Sequence, residues 1–169
     1  MSTSSLQRAL SAAPAHALAK EAVPGKEYFI FVLGDLTLGV LSGHAREVTR
    51  PGLLTPLPRL PAFVLGVVGH RGEVLPVIDL LRFLGQGEMT VTSRKRLFIG
   101  SVHAFSAAFL ADRVLGLRYL NDSAVLAPPL GGAVPAEHLL GVVRDGPRTL
   151  NLIDLPKLMQ VARARIVTR

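Results

Sequence analysis

Apolar positions in this chain come in short runs broken by Gly, Pro and charged residues, not at the three- and four-residue spacing of long amphipathic helices. Tyr28 to Leu33 is rich in aromatic and β-branched residues and stops at Gly34-Asp35, after which Leu36 to Leu41 begins a second run. Two such runs around a Gly-Asp pair predict a β-hairpin. Ser42 to Val48, carrying Gly43, predicts a bend or bulge before the second strand resumes. Pro51, Pro56, Pro58 and Pro61 make the segment from Arg50 to Pro61 an extended loop, and Pro61 to Val64 reads as one helical turn with proline at its start. Val64 to Val68 and Glu73 to Ile78 are predicted strands around a Gly69–Gly72 turn, and Gly85 to Ser93 is a polar linker. Arg96 to Val102, Ala104 to Leu110 and Val114 to Leu120 are further strands, and Ala127 to Pro135 is a second proline-rich loop.

Part of this pattern occurs twice. Gly66 to Leu84 (GVVGHRGEVLPVIDLLRFL) and Gly141 to Met159 (GVVRDGPRTLNLIDLPKLM) align without a gap at a constant offset of 75 residues. Gly66/Gly141, Val67/Val142, Val68/Val143, Leu75/Leu150, Ile78/Ile153, Asp79/Asp154 and Leu80/Leu155 coincide. A repeat of that length is a supersecondary unit, and two copies fall short of a solenoid, which needs about three or more to bury a continuous core. Asp79 and Asp154 stand where each copy passes from strand to helix, so they are read as structural N-caps. The second helix is expected from about Pro156 to Val161 or beyond.

Many short strands with Gly/Pro turns predict an all-β architecture with short helices. The repeat makes it two small five-stranded β-barrel subdomains related by a pseudo-two-fold axis, with an apolar seam between them. The expected organisation is a flexible N-terminal tail over 1–26, a folded domain over 27–160 and a basic C-terminal tail over 161–169. The subdomains are placed at about 36–92 and 93–150, with exchange of terminal elements left open.

Composition narrows the chemistry. The 169-residue chain is 49% hydrophobic but only 5% aromatic, so its core is built mainly from Val, Leu, Ile and Ala. It has no Cys, which excludes disulfides, Cys-ligated zinc and thiol nucleophiles. No apolar run approaches the ~18 residues of a membrane span, and the N-terminus makes a poor signal peptide, which places the chain in the cytoplasm without membrane insertion. The net charge of +7 is scattered apart from Arg144, Arg148, Lys157, Arg163, Arg165 and Arg169, read as a solvated basic terminus. Without Trp, and with neither Tyr28 nor Tyr119 in a basic run, the stacking platforms of a nucleic-acid surface are missing. A basic β-barrel binding nucleic acid is kept only as the alternative.

The five histidines (His16, His44, His70, His103, His138) form no HxxxH or HExxH pair, and no serine sits in a G-x-S-x-G elbow. The spaced glycines from Gly66 to Gly72 precede a strand containing Pro76, not the helix a phosphate loop requires. The expectation is a protein that is no enzyme and takes no cofactor or metal. His70-Arg71, in a turn, is the one polar doublet that invites a binding role.

Pro61-Ala62-Phe63-Val64-Leu65-Gly66-Val67 followed by His70-Arg71-Gly72-Glu73-Val74-Leu75-Pro76-Val77-Ile78-Asp79-Leu80 resembles the CheW family. That family comprises adaptors coupling chemoreceptors to the histidine kinase of bacterial chemotaxis. Phe29-Ile30-Phe31, Gly39-Val40, Glu47-Val48, the strand from Phe109 to Gly116 and Leu150-Asn151-Leu152-Ile153-Asp154 support the match, which spans about 27–160. The resemblance implies two five-stranded barrels and no chemistry. It implies as partners the regulatory domain of a CheA-type kinase, the cytoplasmic hairpin tip of a chemoreceptor and other CheW-like proteins. Glu47 and Arg71 match the family's acidic and basic positions near a receptor-facing groove, with Val48, Val64, Val68 and His70 placed beside them. The family's Asn-Leu before Arg-Gly is Gly69-His70 here, a departure pointing to a non-flagellar chemosensory pathway or to a scaffold that has lost one partner surface.

Overall fold

The computed structural model describes residues 23–168. Ten strands follow in order: β1 (Gly25–Leu33), β2 (Leu36–Leu41), β3 (Ala45–Thr49), β4 (Val64–His70), β5 (Glu73–Ile78), β6 (Arg96–Val102), β7 (Phe105–Ala111), β8 (Arg113–Asn121), β9 (Leu139–Asp145) and β10 (Arg148–Ile153). Two helices, α1 (Leu80–Phe83) and α2 (Leu155–Val167), follow β5 and β10. The strands form two five-stranded sheets, β8-β1-β2-β10-β9 and β3-β6-β7-β5-β4.

Replacing β1 by β6, β2 by β7, β3 by β8, β4 by β9 and β5 by β10 turns one sheet order into the other, so the pseudo-two-fold extends well beyond the motif that repeats in sequence. Each half gives its first hairpin to one sheet and its last three strands to the other. Neither sheet keeps to the spans 36–92 or 93–150, because each is joined across the halves twice, once by an antiparallel ladder (β1 with β8, β3 with β6) and once by a parallel one. Val77 and Ile78 of β5 pair with Ala108 and Phe109 of β7, and Leu150–Leu152 of β10 pair with Thr37–Gly39 of β2. The ladders leave both sheets open, β3 and β4 being the edges of one and β8 and β9 of the other. They are therefore curtailed barrels, and side chains do the closing.

Alternation along β1 explains why it is apolar on both faces. Tyr28 and Ile30 join Leu120, Val143, Leu150 and Leu152 in a cluster inside their own sheet. Phe29, Phe31 and Leu33 point the other way, into a larger cluster spanning both sheets. At its centre the Phe31 and Phe98 rings lie 4.6 Å apart and Phe29 and Phe98 5.2 Å, an aromatic seam between the equivalent strands β1 and β6 that Phe109 of β7 extends, its ring 5.0 Å from Phe98.

The repeated glycines have a steric cause. Backbone bridges tie the first proline loop to β4 (Thr55 with Val67) and the second loop to β9 (Leu126 with Val142). A Cβ on Gly66 would stand 2.6 Å from the Thr55 carbonyl oxygen, and one on Gly141 2.7 Å from that of Leu126. Both loops can approach only because no side chain intervenes.

Some expectations need correction. Pro61–Val64 forms a β-turn, closed by Val64 N–H donating to Pro61 C=O at 2.9 Å, and not a helical turn. β1 already includes Gly25 and Lys26, which pair with Asn121 and Leu120, so the expected tail boundary at residue 26 lies inside a strand; the rest of that tail, 1–22, is outside the described residues. The basic segment expected as a tail over 161–169 is helical as far as Val167, because Ala162 prolongs the buried stripe of Leu155, Leu158 and Met159. The two helices differ in length for a local reason. At the offset of 75, Gly85 and Gly87 stand where α2 has Gln160 and Ala162. Gly85, at φ 73°, ends α1 after one turn.

Candidate functional site

Glu47, His70 and Arg71 meet where β3 faces the tip of the β4–β5 hairpin. The turn needs two left-handed residues, and Arg71 (φ 48°) and Gly72 (φ 81°) supply them. Its counterpart in the second half has Gly146 (φ 62°) where Arg71 stands. A β-carbon in that region is disfavoured, so Arg71 is held at some conformational cost, and its side chain shows what holds it. Arg71 Nη2 donates to Glu47 Oε1 at 3.0 Å and Nε to Oε2 at 3.0 Å, a two-pronged fork. His70 Nε2 lies 2.9 Å from Glu47 Oε2 on the same carboxylate. The Arg71 guanidinium, and after it His70, holds the Glu47 carboxyl at about 2, well below the usual carboxylate range, and Glu47 in turn raises Arg71.

A second tie lies alongside. A bulge in β3 leaves Arg46 without a ladder partner between Ala45–Gly100 and Glu47–Ile99. Arg46 reaches Glu73, at the start of β5, with Nη2 3.1 Å from Oε2, and Nη1 donates to Ser101 Oγ at 3.2 Å. The corresponding gap in the other sheet is spanned by Arg118 of β8 and Asp145 of β9 at 3.1 Å. Asp145 occupies the position of His70 in the repeat, so both sheets close their open edges with charge where no ladder does. Nothing in the sequence singled out Arg46 or Glu73; the bulge that frees Arg46 was foreshadowed only by Gly43 and the polar run around it.

The predicted residues divide. Val68 and His70 line a shallow cavity of about 180 Å³ together with Thr49, Arg50, Gly52, Leu53, Gly69, Leu97 and Ile99. Leu53, on its rim, is 88% exposed. Val48 is not in this cavity. It lies opposite Phe98 in the β3–β6 ladder, whereas Glu47 lies opposite Ile99, so Val48 faces the seam. Its counterpart Leu117 lies opposite Phe29, and both apolar side chains stand in solvent beside the aromatic seam. Val64 is buried opposite Ile78 and supports the strand from within. Asp79 and Asp154 cap α1 and α2, accepting from Arg82 N at 3.1 Å and Lys157 N at 3.2 Å.

Among the described residues, no group of three or more His, Cys, Asp or Glu side chains could hold a metal ion, and no helix is long and apolar enough to cross a membrane. The fold packs two sheets across an apolar seam and leaves exposed apolar residues beside a charge-stitched hairpin. The comparisons identify the class. The model of the CheW-like domain matches residues 27–163. Protein FrzA of Myxococcus xanthus is 54% identical over 159 residues, which take in 93% of this chain and 99% of that protein. The chemotaxis protein CheW of Rhizobium meliloti (strain 1021) is 29% identical over 132 residues, 78% of this chain and 85% of that one. The fold matches the crystal structure of the scaffolding protein TtCheW from Thermoanaerobacter tengcongensis with a TM-score of 0.71 at 23% identity, covering 78% of this chain and 85% of that one. The chain belongs to the CheW-like family.

Proposed function

We propose that this protein is a non-catalytic adaptor joining the cytoplasmic hairpin tip of a methyl-accepting chemoreceptor to the regulatory domain of a CheA-type histidine kinase. The observation that carries the reading is the Glu47 carboxylate gripped by Arg71 and His70 at one edge of β3, with Val48 and Leu117 exposed beside the seam. A helical hairpin offers apolar side chains flanked by polar ones, and such an edge suits it. Val64 and Val68 act from beneath by packing β4, and the Glu47–Arg71 fork sets the hairpin tip against β3. The protein works in the cytoplasm, reaching receptor arrays through its partners and not by inserting into the membrane. Nucleic acid is a poor fit as a partner: Tyr28 is buried, and the Tyr119 hydroxyl donates to Val23 O at 2.8 Å.

The pathway is a non-flagellar one, serving surface motility or development. Supporting this, identity is 54% to Protein FrzA against 29% to the chemotaxis protein CheW of Rhizobium meliloti. The Gly69-His70 departure favours a second reading, a scaffold that keeps one partner surface, because His70 spends a ring nitrogen on Glu47. Co-elution of the protein with its cognate kinase and a receptor-tip fragment separates the readings. A ternary complex that Arg71→Ala removes is expected for the coupling adaptor, and binding of the kinase alone is the outcome for the one-surface scaffold. A folded Arg71→Ala variant that retained both partners would refute the role given to the fork.

A further inference from the structure

A cavity of about 590 Å³ lies between the β6–β7 turn and α2, and none of Glu47, His70 and Arg71 lines it. Its floor is apolar, made by Phe105, Pro156 and Met159. Its walls carry Lys157 and Arg163, two of the basic residues that the sequence alone presents as a solvated terminus. Pro156, Gln160 and Arg163 follow the i, i+4, i+7 spacing of one helical stripe, so the cavity is a trough along roughly 10 Å of helix. It is open along one side and long enough for an extended segment of about three residues.

The charge in the trough is unbalanced. Asp154 is the one carboxylate in its lining, and that side chain is committed to capping α2 through Lys157 N at 3.2 Å. The Lys157 and Arg163 side chains make no ion pair within 4.0 Å among the described residues. Arg163 instead lies over the Phe105 ring at 5.7 Å, which orients the guanidinium along the floor. Both cations are exposed, and His103, in the β6–β7 turn at φ 55°, also lines the trough.

We propose that this trough is a docking site for an acidic peptide segment of a partner protein, one that sets an aromatic or aliphatic side chain on Phe105 and Met159 and flanking carboxylates on Lys157 and Arg163. The apolar floor alone would accept any hydrophobic side chain; the two uncompensated cations select the acidic flanks. Because it shares no residue with the β3 edge, the site stands or falls independently of the coupling function.

The test uses the full chain, ¹⁵N-labelled, titrated with the acetylated and amidated peptides Glu-Glu-Phe-Glu-Glu and Gln-Gln-Phe-Gln-Gln. Shifts confined to the β6–β7 turn and α2, at least about tenfold tighter binding of the acidic peptide, and loss of that preference in Lys157→Glu/Arg163→Glu are expected; tenfold corresponds to about 1.4 kcal/mol. Raising the salt concentration should erode the preference, since both cations face solvent. Lys-Lys-Phe-Lys-Lys should bind the doubly reversed variant better than the wild type, a rescue that a misfolded variant cannot give. Equal affinity for the acidic and neutral peptides, shifts centred elsewhere, or binding to vesicles with anionic headgroups in place of the peptide would overturn the proposal.

Discussion

Asp79 and Asp154 occupy the same position in the two copies of the repeat and cap their helices through the same oxygen, yet replacing each by alanine should cost very different amounts. Asp154 Oδ1 accepts from Lys157 N at 3.2 Å at a half-buried site. Removing that bond costs about 1 kcal/mol, the usual loss for an N-cap carboxylate. Asp79 is fully buried and has a second bond: its Oδ2 accepts from Met89 N at 2.7 Å, pinning the linker that follows α1. Alanine there loses the cap and also strands a buried N–H that had a charged acceptor, a further ~2 kcal/mol. Asp79→Ala should therefore destabilise by about 3 kcal/mol and Asp154→Ala by about 1 kcal/mol. Urea unfolding of the purified variants reads both values, and hydrogen exchange at the Met89 amide should accelerate only in Asp79→Ala. Equal losses in the two variants would refute the reasoning, because the second bond would then contribute nothing.

His138 stands at the repeat position of Phe63, and both rings pack on Phe83, with centroids 5.4 and 5.0 Å away. Its Nδ1 is buried without a hydrogen bond, so His138→Phe should stabilise by about 1 kcal/mol in urea unfolding at pH 7. Burial holds the His138 imidazole below its usual value of 6.5, so the unfolded chain binds the proton more readily. Wild-type stability should fall as pH drops below about 6.5, and that part of the pH dependence should vanish in the Phe variant. Gly66→Ala and Gly141→Ala each drive a Cβ to within 2.7 Å of a loop carbonyl oxygen, and each should lose about 2 kcal/mol by overpacking while speeding exchange at the bridging amides of Thr55 and Leu126. The Glu47 carboxyl, followed by NMR, should titrate at about 2 in the wild type and nearer 4.5 in Arg71→Gln. What Glu47 adds to stability is complete above pH 4.5 and fades as pH falls towards 2; an unchanged midpoint in the variant would remove the fork as its cause.

Hairpins, caps and the repeat were legible because each is local: a Gly-Asp turn, an Asp before an apolar helix start, a glycine under a loop. The exchange of strands was not. Alternation reports which faces of a strand are apolar, and β2, β5, β7 and β10 are apolar enough to be interior wherever they pair, so nothing along the chain says that β5 meets β7 and β10 meets β2. Nor does adjacency in sequence place Val48 beside the Glu47 carboxylate, since neighbours along a strand point to opposite faces. Arg71 was found through resemblance, but its cause lay partly in the repeat: Gly146 marks the position as one that wants a left-handed residue, which makes an arginine there conspicuous.

The exchange also explains why charge stands at the open edges. A half-chain that contributes two strands here and three there cannot complete either sheet alone, so the two sheets must form together. What remains unpaired is the gap between β3 and β4, and between β8 and β9. Closing those gaps with a further ladder would leave no free edge for a partner; leaving them bare would expose backbone that any strand could join. Glu47 with Arg71 and His70, Arg46 with Glu73, and Arg118 with Asp145 are intermediate solutions, holding the edges in register through side chains that stay at the surface. An adaptor needs that combination, a rigid frame whose edges still carry addressable chemistry, and in this chain the two-pronged tie falls on a turn where an arginine stands at the repeat position of Gly146.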